Sequence, residues 1–221
     1  MEKELIYENP MKNEGDMKDF ILEGKADLSF NGNCMTMKNT LNDELGQKAN
    51  YVLWCPREFP SDIKIEWDFL PVTDRGLCML FFAGRGIHGE ELFDPSLNVR
   101  TGEYPQYHSG DINAFHVSYF RRKETDERSF HTCNLRKSRG FYLAAQGADP
   151  IPDAKDAKEF YRIAVKKREN IVTFSVNDLC VFTYTDDGKT YGPLLEGGKI
   201  GFRQLAPLVA RYKNLKVYRL R

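Results

Sequence analysis

The chain has 221 residues, which is enough for one large β domain or two small ones. Hydrophobic residues make up 41% and aromatic residues 13% of the sequence, a composition that supplies a core and excludes a globally disordered chain. Lys plus Arg and Asp plus Glu number 32 each, so the formal net charge is zero, which argues against a dedicated nucleic-acid-binding protein.

The sequence also carries no signal for a membrane. No apolar stretch approaches the length that spans a bilayer. The first ten residues, MEKELIYENP, lack the basic segment and apolar run of a secretory signal. We therefore expect a cytoplasmic protein that makes no use of membranes. The oligomeric state stays open, and a homo-oligomer is among the alternatives.

The first half of the chain reads mainly as short strands. A brief helix is predicted for EGDMKDFIL (14–22), with Asp16 as its N-cap, and a strand for YVLWC (51–55). IKIEWDF (63–69) alternates apolar and charged residues, which is typical of a strand with one buried face. GLCMLFFAG (76–84) is apolar throughout and indicates a strand buried on both faces.

The second half continues in the same way. A second brief helix is predicted for DAKDAKEF (153–160), after Pro152. The predicted strands are FHVSYFRR, FYRIAVKKRE, IVTFSV, LCVFTYT, GKIGFRQLA and YKNLKVYRL. Many short strands with almost no helix indicate an all-β, two-sheet antiparallel sandwich, and we expect a single domain over residues 1–221.

Three polar stretches lack predicted strands, at residues 85–114, 123–138 and 146–158. Loops longer than about 12–15 residues are uncommon in a compact domain and are often functional. We therefore expect a site where these loops meet an open sheet face.

The histidines provide the main candidates for catalysis. All four, His88, His108, His116 and His131, lie within this loop-rich region, and histidine is well suited to proton transfer near neutral pH. Strand alternation aims His116 and Ser118 at one sheet face and the neighbouring apolar side chains at the core. A structural role as hydrogen-bonding loop residues is the alternative for each histidine.

Acidic residues are the expected partners in such a reaction. Glu66 and Asp68 project from the charged face of the 63–69 strand, where the alternative is a plain solvated surface. In the enzymatic hypothesis His108 or His116 acts as acid or base, with Glu66 or Asp111 as its partner.

The substrate-binding hypothesis relies on two basic clusters, at 121–123 and 136–139. Arginine binds carboxylates through two parallel hydrogen bonds, so these clusters could hold an acidic sugar, although charged runs are more often ordinary surface. Trp54 could stack on a sugar ring, with core packing as the more common outcome. The other predicted substrate-binding residues are Tyr107, Asn113, Ser118, Arg121, Arg122, Asn134, Arg136, Lys137, Arg203 and Gln204.

No cofactor motif or metal-ligand spacing is present among the histidines and the five cysteines, so we predict neither a cofactor nor a His- or Cys-based metal site. A bound Ca²⁺ stays open, through loop carboxylates such as Asp94, Asp111 and Asp149, because calcium sites outside EF-hands have no fixed spacing.

Four segments carry a resemblance to a known family. They are GLCMLFFAGRGIHGEELFDPSLNVRTGEYPQYHSGDINAFHVSYFRRK, TCNLRKSRGFYLAAQGADPIPD, DDGKTYGPLLEGGKIGFRQLAP and VLWCP. They resemble the bacterial YesU-like family of unknown function. The resemblance covers nearly the whole chain, and it is weakest in the first 45 residues and the last dozen.

The resemblance implies a concanavalin- or galectin-like jelly roll. It also implies a carbohydrate role, since family members are found beside genes for the use of rhamnogalacturonan and related plant polysaccharides. It transfers no catalytic residue. The C-terminal segments are similar to a wider class of sugar-active jelly rolls that includes 3-keto-glycoside hydrolases, which keeps an enzymatic role open.

Together these observations predict a protein that binds or processes oligosaccharides containing uronic acid or rhamnose, in a groove on the open face of one sheet. Whether it is an enzyme stays undecided; as one, it would be a glycoside hydrolase or a lyase. The alternatives are a non-catalytic lectin-like module and a protein-interaction module.

Overall fold

A computed structural model describes residues 2–122 and 131–221. Fifteen strands make up most of this part of the chain, with two one-turn helices, α1 (Glu14–Met17) and α2 (Pro105–His108), and a 3-10 helix at Asp43–Ala49. The strands are β1 (Lys3–Asn9), β2 (Ile21–Glu23), β3 (Ala26–Phe30), β4 (Met35–Asn39), β5 (Tyr51–Phe59), β6 (Ile63–Pro71), β7 (Gly76–Gly86), β8 (Ile112–Arg122), β9 (Thr132–Ser138), β10 (Tyr142–Ala148), β11 (Tyr161–Arg168), β12 (Ile171–Val176), β13 (Leu179–Thr185), β14 (Gly198–Leu205) and β15 (Val209–Leu220).

The strands form two antiparallel sheets. The eight-stranded sheet has the order β13-β12-β11-β6-β15-β4-β3, and β1 pairs with β15 beside this path. The seven-stranded sheet has the order β10-β9-β8-β7-β14-β5-β2. The predicted all-β, two-sheet antiparallel jelly-roll fold is thus confirmed.

The main hydrophobic core lies between the two sheets. Ile65 and Trp67 of β6 are fully buried there, whereas Lys64 and Glu66 alternate onto the outer face of the eight-stranded sheet. This is the pattern that period-2 alternation predicts for β6. Burial of its apolar face is what fixes the register of this strand, because a slip of one residue would move the charged side chains into the core.

A second, smaller core covers part of the outer face of the seven-stranded sheet. The segment between β7 and β8, which contains α2, folds back over this face. Side chains of the segment and of the sheet are buried between them. As the sequence predicts, β7 is therefore buried on both faces, with Leu80 in the main core and Phe81 in the second core. The buried members of the second core are Val52, Trp54, Leu77, Met79, Phe81, Leu92, Tyr107, Ile112 and Leu205.

Both helix predictions need correction. Only residues 14–17 are helical, Asn13 rather than Asp16 is the N-cap, and Ile21–Glu23 pairs with β5 as a strand. Residues 153–160 form a turn instead of a helix. Tertiary contacts override the helical composition there, because the Asp153 carboxylate lies 3.5 Å from Arg122 Nε and Ala154 N donates to Asp74.

All three stretches predicted to lack strands contain strand residues. In 85–114, β7 runs to Gly86 and β8 begins at Ile112. In 123–138, β9 occupies residues 132–138, and residues 123–130 lie outside the described residues. In 146–158, β10 extends to Ala148. Among the helices of the described residues, none combines the length and apolar character needed to cross a membrane.

Candidate functional site

Several of the predicted site residues lie close together on the outer face of the seven-stranded sheet, beside the second core. Strand pairing places Arg203, Met79, Ser118 and Asn134 in one row across the sheet. The adjacent row contains Phe81, His116 and Arg136. The alternation predicted for β8 is therefore correct, since His116 and Ser118 oppose the core side chains Phe115, Val117 and Tyr119.

This face is more covered than the sequence suggests. His116 is only 1% exposed and Ser118 only 5%. The cover over His116 is Tyr104, which immediately precedes α2 and whose ring lies 5.6 Å from the His116 ring. Tyr104, Arg121 and Arg136 are partly exposed, and Phe141 is 49% exposed. The face thus has a buried polar floor and a partly exposed rim.

A chain of hydrogen bonds joins the loop to this floor. The Tyr104 hydroxyl lies 3.0 Å from His116 Nδ1, and His116 Nε2 lies 2.7 Å from Ser138 Oγ. Ser138 Oγ is also within 3.1 Å of the Tyr107 carbonyl oxygen and 3.3 Å of the Ala114 carbonyl oxygen. The serine has one hydrogen, and both carbonyls can only accept.

These partners determine the tautomer of the imidazole. Ser138 donates to a backbone carbonyl and so accepts from His116 Nε2–H. Nδ1 then carries the lone pair and accepts the proton of the Tyr104 hydroxyl. Burial holds the pKa of His116 well below its ordinary value, and the neighbouring His108, Arg203 and Arg136 act in the same direction. His116 is therefore neutral at physiological pH.

Arg203 supplies an unusual buried charge. Its side chain is fully buried, and its Nη2 donates to the Gly102 carbonyl oxygen at 3.1 Å and to Gln47 Oε1 at 3.2 Å. Nε and Nη1 of this guanidinium have no hydrogen-bond partner within the described residues, and no carboxylate pairs with it there. Burial lowers its pKa to about 10, and its guanidinium carbon lies 4.7 Å from the centre of the Tyr104 ring.

Further cationic and aromatic groups complete the rim. The Arg136 guanidinium carbon lies 3.8 Å from the centre of the Phe141 ring, and Nη1 donates to the Phe141 carbonyl oxygen at 2.9 Å. His108 packs against the same ring at 4.5 Å and against Tyr104 at 4.8 Å. Burial lowers the pKa of His108, as do Arg136 and Arg203.

The polar end of the face is formed by amides and a third arginine. Arg121 Nη1 donates to Thr132 Oγ1 at 2.7 Å and lies 3.1 Å from the Asn134 amide. The Asn134 amide also contacts Gln146, which is exposed, at 2.8 Å. Burial raises the pKa of Tyr104 to about 12, whereas Arg203, Arg136 and Arg121 lower it. Arg203 and Arg136 thus act on both Tyr104 and His116.

Two predicted substrate-binding residues belong to the second core instead. Trp54 and Tyr107 are both 0% exposed, and both donate at 2.8 Å to Glu23 Oε2. The expected stacking of a sugar on Trp54 needs correction, because Phe81, Phe93 and Tyr107 surround its ring. Glu23 also pairs with Arg100 at 2.9 Å, which makes this carboxylate a structural hub.

Asp111 and Asn113 hold loops in place. The Asp111 carboxylate accepts from the backbone N–H and the side-chain amide of Asn98, at 2.6 and 2.8 Å. Asn113 Oδ1 accepts from the backbone N–H of Arg139 at 2.9 Å. No contact joins either residue to Tyr104 or His116 within the part of the chain that the structure describes, and we assign both a structural role.

Arg122, Lys137 and Gln204 also lie away from this face. Arg122 is 0% exposed and lies 3.4 Å from Asp149. Lys137 lies on the side of Phe115 and pairs with Asp186 at 2.6 Å. Gln204 accepts from the buried Tyr212 hydroxyl at 2.7 Å. Each is buried and bound to protein groups away from this face, so the expectation that these three bind substrate needs correction.

The hypothesis that places Glu66 beside a histidine on one sheet face is wrong. Glu66 lies on β6 of the eight-stranded sheet, and His116 lies on β8 of the other sheet. The Glu66 carboxylate pairs with Lys64 in a groove that also contains Asp68, Lys216 and Arg162. This mixture of charges describes a solvated strand face.

The described residues contain no group of three or more His, Cys, Asp or Glu side chains arranged to hold a metal ion. The three aspartates proposed for Ca²⁺ have separate surroundings. Asp94 accepts from Ser96, Asp111 from Asn98 and Asp149 from Arg122.

Sequence reasoning missed Tyr104, Ser138, Phe141 and Gln146. Tyr104 and Ser138 both lie in segments shared with the resembling family, GEYPQYHS and NLRKSRG, so the shared segments were the available signal. Their contact with His116 links positions 12 and 22 residues apart, and local periodicity carries no information on such contacts.

Comparison with known proteins gives close relatives and distant fold neighbours. The uncharacterized protein YesU of Bacillus subtilis (strain 168) is 53% identical over 213 residues, which is 96% of this chain and 94% of that protein. A crystal structure of a protein of unknown function with a galectin-like fold, also from Bacillus subtilis, has a TM-score of 0.93 at 51% identity, covering 98% of this chain and 97% of that one.

A more distant neighbour shows the fold alone. The carbohydrate-binding module CBM66 from Bacillus subtilis has a TM-score of 0.54 at 12% identity, covering 89% of this chain and 93% of that one. The model of a domain of unknown function, DUF1961, matches residues 4–217. The chain therefore belongs to the DUF1961 family.

Proposed function

We propose that this protein binds an acidic oligosaccharide, one that contains uronic acid, on the outer face of the seven-stranded sheet. We define the arginine face as Tyr104, His108, Arg136, Phe141 and Arg203, together with Arg121, Ser118, Asn134 and Gln146. The observation that carries the proposal is Arg203, a fully buried guanidinium whose Nε and Nη1 have no hydrogen-bond partner in the described residues.

Such a charge is costly in a protein that has no ligand for it. Burying a cation without a counter-ion costs several kcal/mol, whereas a bound carboxylate would supply the counter-charge and charge-assisted hydrogen bonding. The two neighbouring arginines add to the positive field that acts on Tyr104. With no net charge on the whole chain, this field is local, which favours a small anionic group over a polyanion such as nucleic acid.

The rest of the arginine face fits a sugar. Phe141 offers a half-exposed ring of the kind on which a pyranose packs, and its ring also contacts Tyr104, Arg136 and His108. The amides of Asn134 and Gln146 supply donors and acceptors for hydroxyl groups. The fold shared with a carbohydrate-binding module supports this ligand class.

The plant-polysaccharide source and the cytoplasmic location expected from the sequence are part of the same proposal. An oligosaccharide of that origin would carry galacturonate or glucuronate, and the arginine face would bind its carboxylate. Cell fractionation with an antibody against the native chain checks the location, and recovery of the protein outside the cytoplasm would contradict that part.

One observation favours a second candidate, a protein-interaction module. Phe141, Tyr142 and Leu143 are adjacent and are 49%, 44% and 43% exposed, and β10 is the edge strand of its sheet. Exposed apolar residues on an edge strand can mark a docking surface or a self-association surface. Light scattering over a range of protein concentrations tests the latter directly.

The decisive experiment is a thermal-shift and calorimetric screen. The ligands are oligosaccharides of galacturonate, of glucuronate and of alternating uronate and rhamnose, each compared with its carboxyl-reduced, neutral counterpart. We expect at least one acidic ligand to raise Tm and bind, with affinity that falls as salt is added, while its neutral counterpart binds more weakly. Equal responses to the acidic and the neutral members of each pair would contradict the proposal.

A further inference from the structure

Beyond binding, the geometry points to a reaction: we propose that the protein cleaves a 4-linked uronate by β-elimination, with Tyr104 as the catalytic residue and His116 as the positioning residue that takes and returns the tyrosine proton. This inference rests on the proposed function, because it requires the uronate carboxylate to lie against Arg203. Neither the family nor the relatives assign an activity to these residues.

The hydrogen-bond chain prepares Tyr104 for proton exchange. Its hydroxyl donates to Nδ1 of a neutral imidazole at 3.0 Å, and the Nε2–H of that imidazole is fixed on Ser138 Oγ at 2.7 Å. The lone pairs of the phenol oxygen are therefore free to accept a proton from a substrate when the imidazole takes the phenol's own. Because the Tyr104 ring covers His116 and its hydroxyl is bound to Nδ1, the imidazole acts through the tyrosine.

The arginines supply the charge stabilisation that elimination needs. Loss of the proton at C5 of a uronate places negative charge on the adjacent carboxylate, and cations that hold the carboxylate stabilise this charge. Arg203 lies over the Tyr104 ring at 4.7 Å, and Arg136 and Arg121 add positive potential at the phenol. These three cations lower the pKa of Tyr104 against the larger effect of burial, which raises it to about 12, so the phenol gives up its own proton only as it accepts the substrate's.

The hydrogen-bond partners of the described residues favour elimination over hydrolysis. Most glycoside hydrolases use two carboxyl groups on opposite sides of the scissile bond. Within residues 2–122 and 131–221, no carboxylate is hydrogen-bonded to the side chain of Tyr104, His108 or His116. Glu23 is buried by Arg100, Trp54 and Tyr107, and Glu66 is on the other sheet.

The proposed step balances without a co-reactant. The phenol oxygen takes the C5 proton of the uronate while its own proton moves to His116 Nδ1, so that no free phenolate forms. The electron pair of the C5–H bond forms a C4=C5 double bond, and the C4–O bond breaks with its electron pair on the departing oxygen. Tyr104 then protonates that oxygen and recovers its proton from His116. The products are an unsaturated uronate and a free sugar hydroxyl.

The use of one hydroxyl for both proton transfers defines the stereochemistry. Removal of the C5 proton and protonation of the departing oxygen must occur on the same face of the sugar ring. The reaction is therefore a syn elimination. In a 4-linked glucuronate the C5–H and C4–O bonds lie on one face, whereas in galacturonate they lie on opposite faces. We therefore expect cleavage of 4-linked glucuronate oligosaccharides and none of galacturonate oligosaccharides.

The test measures binding and cleavage separately on the full chain. Binding of glucuronate oligosaccharides is followed by calorimetry, and cleavage by the near-ultraviolet absorbance and mass of the unsaturated product. Tyr104→Phe should lower kcat by about 10²–10⁴-fold while binding persists. Tyr218→Phe, a change on the eight-stranded sheet, is the matched control and should leave kcat unchanged.

A second variant separates proton transfer from a purely structural role. His116→Gln keeps an acceptor for the Tyr104 hydroxyl but cannot take its proton, so kcat should fall while KM and Tm change little. The acid limb of the pH–rate profile, which His116 sets in the native protein, should disappear in this variant. An unchanged acid limb would remove His116 from the mechanism.

The failures of the two proposals are distinguishable. Binding of uronates without any unsaturated product would overturn the elimination and leave the binding function standing. A saturated product, or cleavage of galacturonate in place of glucuronate, would overturn the single-hydroxyl mechanism. If no acidic oligosaccharide binds, the proposed function itself fails.

Discussion

Tyr104 and His116 lie on different layers of the molecule, the first on the segment that covers the seven-stranded sheet and the second on the sheet itself, yet their side chains meet at 3.0 Å. The contact is the point at which the cover and the floor of the arginine face are joined. It also sets the tautomer of His116, since the other ring nitrogen is bound to Ser138. The position of Tyr104 therefore depends on whatever holds the covering segment in place.

Glu23 is one residue that holds the covering segment in place. The carboxylate accepts from Trp54 and Tyr107 and pairs with Arg100, with all four side chains buried. Glu23→Gln leaves the Arg100 charge without its partner, and we expect a loss of about 3–5 kcal/mol in the free energy of unfolding. Urea unfolding measures the loss.

The matched control is Glu66→Gln. Its carboxylate pairs with Lys64 on the outer face of the eight-stranded sheet, where both side chains are partly exposed to solvent. We expect a change below about 1 kcal/mol. Similar losses in the two variants would contradict the assignment of Glu23 as a buried hub.

Gly102 is the second anchor of the segment. Its φ is +99°, and a Cβ added there would lie 2.1 Å from the carbonyl oxygen of Asn50. Gly102→Ala must therefore displace the backbone, and its carbonyl oxygen is the acceptor for Arg203. We expect this variant to lose both stability and affinity for an acidic oligosaccharide.

Gly89→Ala provides the comparison, because Gly89 has a φ of +91° and open space around the added Cβ. It should cost only the strain of the left-handed backbone, about 1–2 kcal/mol, and leave ligand affinity unchanged. Unfolding and calorimetric titration of both variants separate the two effects. Equal behaviour of the two alanines would show that contact with Asn50 is unimportant.

The buried histidine gives a prediction about pH. Burial holds the pKa of His116 well below its ordinary value, whereas in the unfolded chain it titrates near its ordinary value, about 6.5. Between these two pKa values the unfolded state binds a proton that the folded state does not. Stability therefore falls as pH falls through this window, by up to about 1.4 kcal/mol per pH unit.

His116→Gln removes this titration. Urea unfolding at about pH 7.5 and about pH 5.5 should show a larger loss for the native protein than for the variant, with the residual loss coming partly from His108, whose pKa is also lowered. Equal losses in the two proteins, or a gain in stability on acidification, would contradict a neutral buried His116.

The sequence predicts the strands with one apolar face well, because side-chain alternation and burial have the same cause. β6 is the clearest case, with its predicted face in the main core. The sequence also predicts that His116 and Ser118 share a face. The sequence does not show that the segment between β7 and β8 covers this face. The few apolar side chains of that segment, such as Leu92 and Phe93, recur with neither helical nor strand periodicity.

The basic residues show the second limit of sequence reasoning. Arg121 and Arg122 look equivalent, but Phe120 has a φ of +49° and the pairing register shifts beside it, so only Arg121 reaches the arginine face. Lys137 looks like surface and is buried by Asp186, 49 positions along the chain. Local sequence patterns predict neither result, because the orientation of the two arginines depends on a bulge and the burial of Lys137 depends on a distant partner.

Arg203 carries the central claim, and its replacement tests that claim most directly. Arg203→Met replaces the buried guanidinium with an apolar side chain of similar length. The desolvation cost of the buried charge disappears, so Tm should stay the same or rise. Arg162→Met removes one exposed arginine from the eight-stranded sheet and matches the change in net charge.

The measurement is calorimetric titration of the strongest-binding acidic oligosaccharide into the native protein and both variants. We expect native affinity in Arg162→Met and a loss of about 10–100-fold in Arg203→Met, the equivalent of charge-assisted hydrogen bonds to one carboxylate. Native affinity for the acidic ligand in a folded Arg203→Met protein would contradict the proposal that this buried arginine binds an acidic sugar.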